Sequence, residues 1–92
     1  MKYFGEFIKL KREELGIPQR KIAASLDIDT STLSKIERNE RRATVSMIKI
    51  FAKQLSISLK QLEFEYLKDS ITSDYDSFEF LKENLTKISK EI

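Results

Sequence analysis

The sequence predicts an all-α protein, and three observations support this fold class. Apolar residues recur at steps of three and four along almost the whole chain, which is the spacing of one helix face. Only one Pro and two Gly interrupt the 92 residues. The chain is 40% hydrophobic, enough to bury the core of one small domain. We therefore expect a series of amphipathic helices.

The composition excludes several classes of function. The chain has no Cys and no His, so it lacks disulfides, thiolate metal ligands and the commonest general base. It has no glycine-rich phosphate loop, and no apolar run approaches the ~20 residues of a membrane span. We expect a cytoplasmic protein that is not an enzyme, needs no metal or cofactor and does not enter a membrane.

The first two helices are predicted from their end signals and their apolar spacing. The first helix is expected from about Tyr3 to Leu15, and Gly16 ends it because Gly readily adopts the left-handed conformation. Pro18 suits the start of the second helix. That helix directs Ile22 and Leu26 inward.

The third and fourth helices follow after short turns. Asp29 is a good N-cap for a helix over Thr30–Arg38. Asn39 can adopt the left-handed conformation that ends this helix. A fourth helix is expected over Val45–Leu55.

The C-terminal part divides at a polar stretch. Ser58 can cap a fifth helix that reaches about Ile71, and the turn formers in TSDYDS predict a linker. We expect a first domain over residues 1–71, a linker over residues 72–76 and a C-terminal amphipathic helix over residues 77–92.

Residues 19–36 have the spacing of a helix-turn-helix, because the turn between the second and third helices is too short for an antiparallel pair. The signals that coincide in order are Gly16, Gln19, Ile22-Ala23, the SKIE of residues 34–37, and a fourth helix that ends before Ser58. Over residues 8–62 the chain resembles the helix-turn-helix domain of phage repressors, Cro and the xenobiotic-response-element type of bacterial regulator. The resemblance implies a lambda-repressor-like domain of five helices, here with an additional C-terminal helix.

The outward face of the third helix is the candidate for contact with DNA bases. If Leu33 and Ile36 point inward, helical geometry turns short hydroxyls and one Lys outward, which suits a major groove. The alternative is an ordinary solvated polar face. The resemblance implies base contacts at Thr30, Ser31 and Lys35, with Ser34 as an addition.

A second set of residues is expected to contact phosphates. Residues 1–42 have a net charge of +3, and three of their arginines, Arg38, Arg41 and Arg42, lie within five positions. The resemblance implies phosphate contacts at Gln19, Thr32, Arg41 and Arg42, and the clustering adds Arg38. The alternative for the loop arginines is a solvated charge.

One ion pair is expected to be structural. Glu37 lies near the inward face of the third helix, where an unpaired carboxylate is costly. The resemblance implies a partner late in the first helix, and Arg12 occupies that position.

Apolar residues of the C-terminal half predict a homodimer. The fifth helix has a second apolar face in addition to the one its own core needs, and the last helix has apolar residues at alternating steps of three and four. The predicted dimerisation residues are Phe64, Leu67, Ile71, Phe78, Leu81, Leu85 and Ile88. In the alternative arrangement the last helix folds back over Met47, Ile50 and Phe64.

The predicted function is a sequence-specific regulator of transcription that binds double-stranded DNA as a dimer, as a repressor or autoregulator at an inverted repeat. One alternative is the antitoxin of a toxin–antitoxin pair, in which the C-terminal segment grips a protein partner. Another is the controller protein of a restriction–modification system.

Overall fold

A computed structural model of the chain describes residues 3–92, and this part forms six helices and no strand. The helices are α1 (Phe4–Glu14), α2 (Gln19–Leu26), α3 (Thr30–Glu37), α4 (Val45–Gln54), α5 (Leu59–Tyr75) and α6 (Leu81–Glu91). The predicted all-α fold with an additional C-terminal helix is confirmed. Residues 1 and 2, which begin the predicted first domain, lie outside the described residues.

The hydrophobic core is built by α1 to α4 and the first turn of α5. Every buried side chain of the described part lies between residues 4 and 62, and we call this stretch the N-terminal core. Phe51 of α4 is fully buried, and its ring centroid lies 6.0 Å from that of Phe4 in an edge-to-face arrangement. The largest fully buried side chains are Phe51, Ile8, Ile22, Leu33, Ile36, Leu55 and Leu62.

The polar residues at the helix ends behave as expected. The Asp29 carboxylate accepts the Thr32 N–H at 2.7 Å, and the Ser58 hydroxyl accepts the Gln61 N–H at 3.1 Å. Asn39 has a φ of 62°, in the left-handed region that commonly follows a helix end, here the end of α3.

The fifth helix is longer than the sequence predicts. It continues to Tyr75, so the predicted linker over residues 72–76 is wrong for all but its last residue, and the following helix begins at Leu81 rather than Ser77. Two side-chain hydrogen bonds lie within the extra turn. The Thr72 hydroxyl donates to the Lys68 carbonyl at 2.7 Å, and the Ser73 hydroxyl donates to the Asp69 carboxylate at 2.7 Å.

Residues 63–92, which we call the C-terminal arm, contain no buried side chain. The end of α5, the segment after it and α6 border an apolar cavity of about 430 Å³. The cavity is lined by Ile71, Tyr75, Phe78, Leu81, Asn84, Leu85 and Ile88. The fold-back arrangement is not adopted, since Phe64 remains 59% exposed and Met47 and Ile50 pack on the N-terminal core. No helix of the described residues is long and apolar enough to cross a membrane.

Candidate nucleic-acid interface

A three-residue turn sets the direction of α3 relative to α2. Asp27 adopts the left-handed conformation at the end of α2, with a φ of 56°. The Ile28 N–H then donates to the Ala23 carbonyl at 3.0 Å, which closes the turn. Asp29 caps the first turn of α3. Leu33 and Ile36 are buried, so one face of α3 is fixed against the core and the opposite face points to solvent.

The four residues predicted to contact bases lie on or beside this outward face. Thr30, Ser31 and Lys35 are exposed, whereas Ser34 is half-buried. The Ser31 hydroxyl donates to the Asp29 carboxylate at 3.0 Å. The Lys35 side chain forms no hydrogen bond or ion pair within the described residues, so its ammonium group is available to a ligand.

The predicted phosphate contacts differ in what already binds them. Arg38 pairs with Glu40, and its Nη1 donates to the Ser34 hydroxyl at 2.8 Å. Arg42 makes two hydrogen bonds to the Asp74 carboxylate, at 2.7 and 2.8 Å. Arg41 is exposed and forms neither a hydrogen bond nor an ion pair in the described part of the chain.

These ion pairs also shift acid strengths. The hydrogen bonds from Arg42 hold the pKa of the Asp74 carboxyl below its usual value, and the same bonds raise the pKa of Arg42. Asp74 is therefore ionised at neutral pH, and the Arg42 guanidinium is neutralised by it in the free protein.

The remaining two predicted phosphate contacts belong to α2 and α3. The Gln19 side chain points to Glu37 and its Nε2 donates to Oε1 at 3.0 Å, so its amide group is used within the protein. Thr32 is half-buried in the first turn of α3. Both residues lie at helix starts, where the helix dipole favours a negative charge. The Thr32 N–H already donates to the Asp29 carboxylate in the free protein.

Arg12 and Glu37 are brought together in a nearly buried network. The Glu37 side chain is 2% exposed and that of Arg12 is 12% exposed. Arg12 Nε and Nη2 donate to the two carboxylate oxygens at 2.7 and 3.0 Å, and Nη1 donates to the Ile17 carbonyl at 3.0 Å. The Glu37 hydrogen bonds raise the pKa of Arg12. The network joins α1, the start of α2 and the end of α3.

The sequence patterns did not indicate a second contact between α1 and α3. A Cβ atom at Gly5 would lie 2.1 Å from the Ile36 carbonyl oxygen, so only glycine fits there. The Gly5 N–H donates to Asn39 Oδ1 at 3.0 Å. The only signal in the sequence was a glycine inside a predicted helix, which often marks such a close approach.

Comparison of the chain with known proteins tests the family that the sequence predicts. A model of the helix-turn-helix family matches residues 8–62, more than half of the chain. No significant match was found among curated proteins or among solved structures. The resemblance predicted from the sequence is confirmed over the same residues. The chain therefore belongs to the helix-turn-helix family of the Cro and phage-repressor type and is a DNA-binding regulator of transcription.

Proposed function

We propose that this protein binds double-stranded DNA as a homodimer and inserts α3 into the major groove of an inverted repeat, where it acts as a repressor or autoregulator. The outward face of α3 supports this proposal most directly. Thr30, Ser31 and Lys35 are exposed on a helix whose opposite face is buried. Two hydroxyls and one ammonium group supply donors and acceptors of short reach to base edges, and Ser34 adds a third hydroxyl.

The phosphate backbone on either side of the groove would meet the residues around α3. Arg38, Arg41 and Arg42 follow the helix in sequence, and Gln19 and Thr32 occupy helix starts. Contacts to phosphate orient the protein and carry no base preference. Their number sets how steeply the affinity falls with salt, because each one releases a counterion.

The C-terminal arm supports the homodimer. Phe64 is 59% exposed, Leu67 is 56% exposed and Phe78 is 62% exposed. Large exposed apolar side chains mark an interface where they form one surface, and we propose that these do. The proposed interface comprises Phe64, Leu67, Ile71, Phe78, Leu81, Leu85 and Ile88. Two copies related by a two-fold axis would present their α3 helices about 34 Å apart, one turn of DNA.

The proposal is tested by selecting bound sequences from a random pool of duplexes, followed by sedimentation equilibrium of the free protein. We expect an inverted repeat with half-sites about one helical turn apart, and a dimer at tens of micromolar. Absence of binding to any duplex would reject the function. A monomer, or a selected site without two-fold symmetry, would reject the dimeric arrangement.

Two substitutions separate base contacts from phosphate contacts. Lys35→Ala should cost about 1–3 kcal/mol of binding free energy and relax the preference at one or two base pairs. Arg41→Ala should weaken binding to all sequences about equally and reduce the salt slope by about one. If Lys35→Ala changes neither affinity nor preference, α3 does not face the groove.

The exposed apolar surface of the arm also fits the antitoxin alternative, in which a toxin covers it. The same sedimentation experiment distinguishes the homodimer from the antitoxin. An antitoxin that uses this surface to bind its toxin would sediment as a monomer when purified alone. A controller protein would share the fold and the dimer. It would differ in its binding site, which would lie beside a methyltransferase gene.

A further inference from the structure

One of the two adjacent arginines after α3 is already bound by a carboxylate of the same chain. Arg42 Nη1 and Nη2 donate to the two oxygens of Asp74 at 2.7 and 2.8 Å, in the bidentate geometry that Arg forms with planar anions. Both side chains remain partly exposed, 51% for Arg42 and 39% for Asp74. Burial therefore does not force them to pair. Arg41, the neighbouring residue, has no such partner in the described residues.

The Asp74 carboxylate is held in place because this part of α5 is fixed to the rest of the protein. The Tyr66 hydroxyl donates to the Ala43 carbonyl, directly after Arg42, at 2.6 Å. The Asp69 carboxylate accepts the Phe4 N–H at the start of α1 at 2.8 Å. Asp74 lies little more than one turn further along the same helix. Its carboxylate is thus positioned beside the loop by the helix rather than by a flexible tail.

A guanidinium group engaged in this way cannot make the same two hydrogen bonds to a phosphate. Carboxylate and phosphate both present two oxygens to the guanidinium fork, so they compete for one set of donors. When Arg42 turns to DNA, Asp74 loses its partner, and its negative charge remains close to the phosphate backbone.

We propose that Asp74 is an internal competitor of DNA phosphate for Arg42, and that it limits the affinity of the protein for duplex DNA of any sequence. The inference depends on the proposed function, in which Arg42 contacts phosphate. Because an exposed ion pair is weak, we expect its loss to change the dissociation constant for DNA by about fivefold. Base preference is unaffected, because phosphate contacts do not distinguish sequences.

The competition also predicts a particular dependence on salt. In the wild type, the Asp74 carboxylate takes up a cation from solution when Arg42 leaves it for DNA. This uptake cancels the cation that Arg42 displaces from the phosphate. Without the carboxylate no cation is taken up, and the displaced cation counts in full. The slope of log affinity against log salt should therefore become steeper by up to about one for Asp74→Asn.

The experiment measures binding of a selected duplex and a random duplex between about 50 and 200 mM salt. The matched control is Asp76→Asn, which removes the same charge two residues away. Asp76 is exposed and has neither a hydrogen bond nor an ion pair among the residues described. We expect Asp74→Asn to bind both duplexes about fivefold more tightly than wild type, and Asp76→Asn to change binding by less than about twofold.

A double-mutant cycle assigns the gain to Arg42. Arg42→Gln should weaken binding, and adding Asp74→Asn to it should give no more gain than Asp76→Asn does. A melting curve of each variant separates loss of the competitor from loss of the fold.

Three results would overturn the competition while leaving DNA binding intact. They are Asp74→Asn binding no more tightly than Asp76→Asn, an unchanged affinity of Arg42→Gln, and a gain from Asp74→Asn that persists without Arg42. Weaker binding by a folded Asp74→Asn would instead mean that Asp74 orients Arg42 for phosphate. If no variant, including the wild type, bound any duplex, the proposed function and the competition would both be rejected.

Discussion

The N-terminal core and the C-terminal arm have the same kind of apolar pattern but opposite burial. Phe51 in the core is fully buried, whereas Phe64 in the arm is 59% exposed. Both residues lie in amphipathic stretches that the sequence predicts to be helical. The pattern therefore determines where a helix forms and which face is apolar, and it leaves open what covers that face.

The two regions also differ in how their charges are used. In the core, Arg12 and Glu37 are nearly buried and satisfy each other and Gln19. In the arm, Asp74 reaches an exposed arginine beside the proposed DNA surface. Charge in the core thus joins α3 to α1 and α2, whereas charge in the arm is paired with an arginine of the surface that we propose meets DNA.

The largest expected difference between the regions comes from removing a phenyl ring. Phe51→Ala should lower the free energy of unfolding by about 3–5 kcal/mol, because it leaves a cavity in a core that cannot collapse fully. Phe78→Ala should change the unfolding of the monomer by about 0.5 kcal/mol or less. Urea denaturation at low protein concentration measures both. Equal losses would show that the arm is part of the same cooperative core.

The buried ion pair is expected to matter nearly as much as the core packing. Glu37→Ala should cost about 3–5 kcal/mol of folding free energy, since it leaves the Arg12 guanidinium nearly buried without its partner. Glu40→Ala, which removes the exposed partner of Arg38, is the matched control and should have no measurable effect. A thermal melt separates the two variants. A loss under about 1 kcal/mol for Glu37→Ala would mean that Arg12 finds water or another acceptor.

The sequence predicted the helices of the core well because their end signals act locally. Asp29 and Ser58 cap the helices for which they were expected, and Asn39 ends α3. The sequence did not predict where α5 ends, because Ser, Asp and Thr by themselves favour a turn there. There the side-chain hydrogen bonds within α5 and the contact of Asp74 with a loop 32 residues earlier favour helix.

The sequence predicts which residues of the candidate site face outward, but not which residues of the protein bind them. The position of Lys35 follows from the burial of Leu33 and Ile36, which the spacing indicates. That Gln19 hydrogen-bonds Glu37, and that Arg42 binds Asp74, depends on how distant segments pack. No local pattern records those distances.

A smaller difference between the two regions is expected in how their exposed apolar residues affect the stability of the proposed dimer. Leu67→Ala in the arm should weaken the proposed dimer about tenfold, which is typical of an interface residue worth about 1.4 kcal/mol. Val45→Ala in the core is the matched control, since Val45 is 76% exposed on α4, and should leave the dimer unchanged. Sedimentation equilibrium over a range of concentrations measures both dissociation constants. If only Val45→Ala weakens the dimer, the interface lies on the core instead.

The smallest effect concerns two helix caps that differ in charge. Hydrogen bonds from Thr32 hold the pKa of the Asp29 carboxyl below its ordinary value of 3.8. The negative charge therefore stabilises the folded state at pH values above 3.8, and this contribution is lost as the pH falls through the lower folded value. Asp29→Asn keeps an oxygen acceptor and removes the charge. Its stability deficit at pH 7 should thus be small and should shrink as the pH falls below 3.8. Ser58→Ala removes a cap that does not titrate, and its loss of about 1 kcal/mol should be the same at every pH. Urea midpoints measured across this pH range compare the two variants with the wild type. If the stability loss of Asp29→Asn is the same at every pH, the hydrogen bond stabilises the start of α3 and the charge does not.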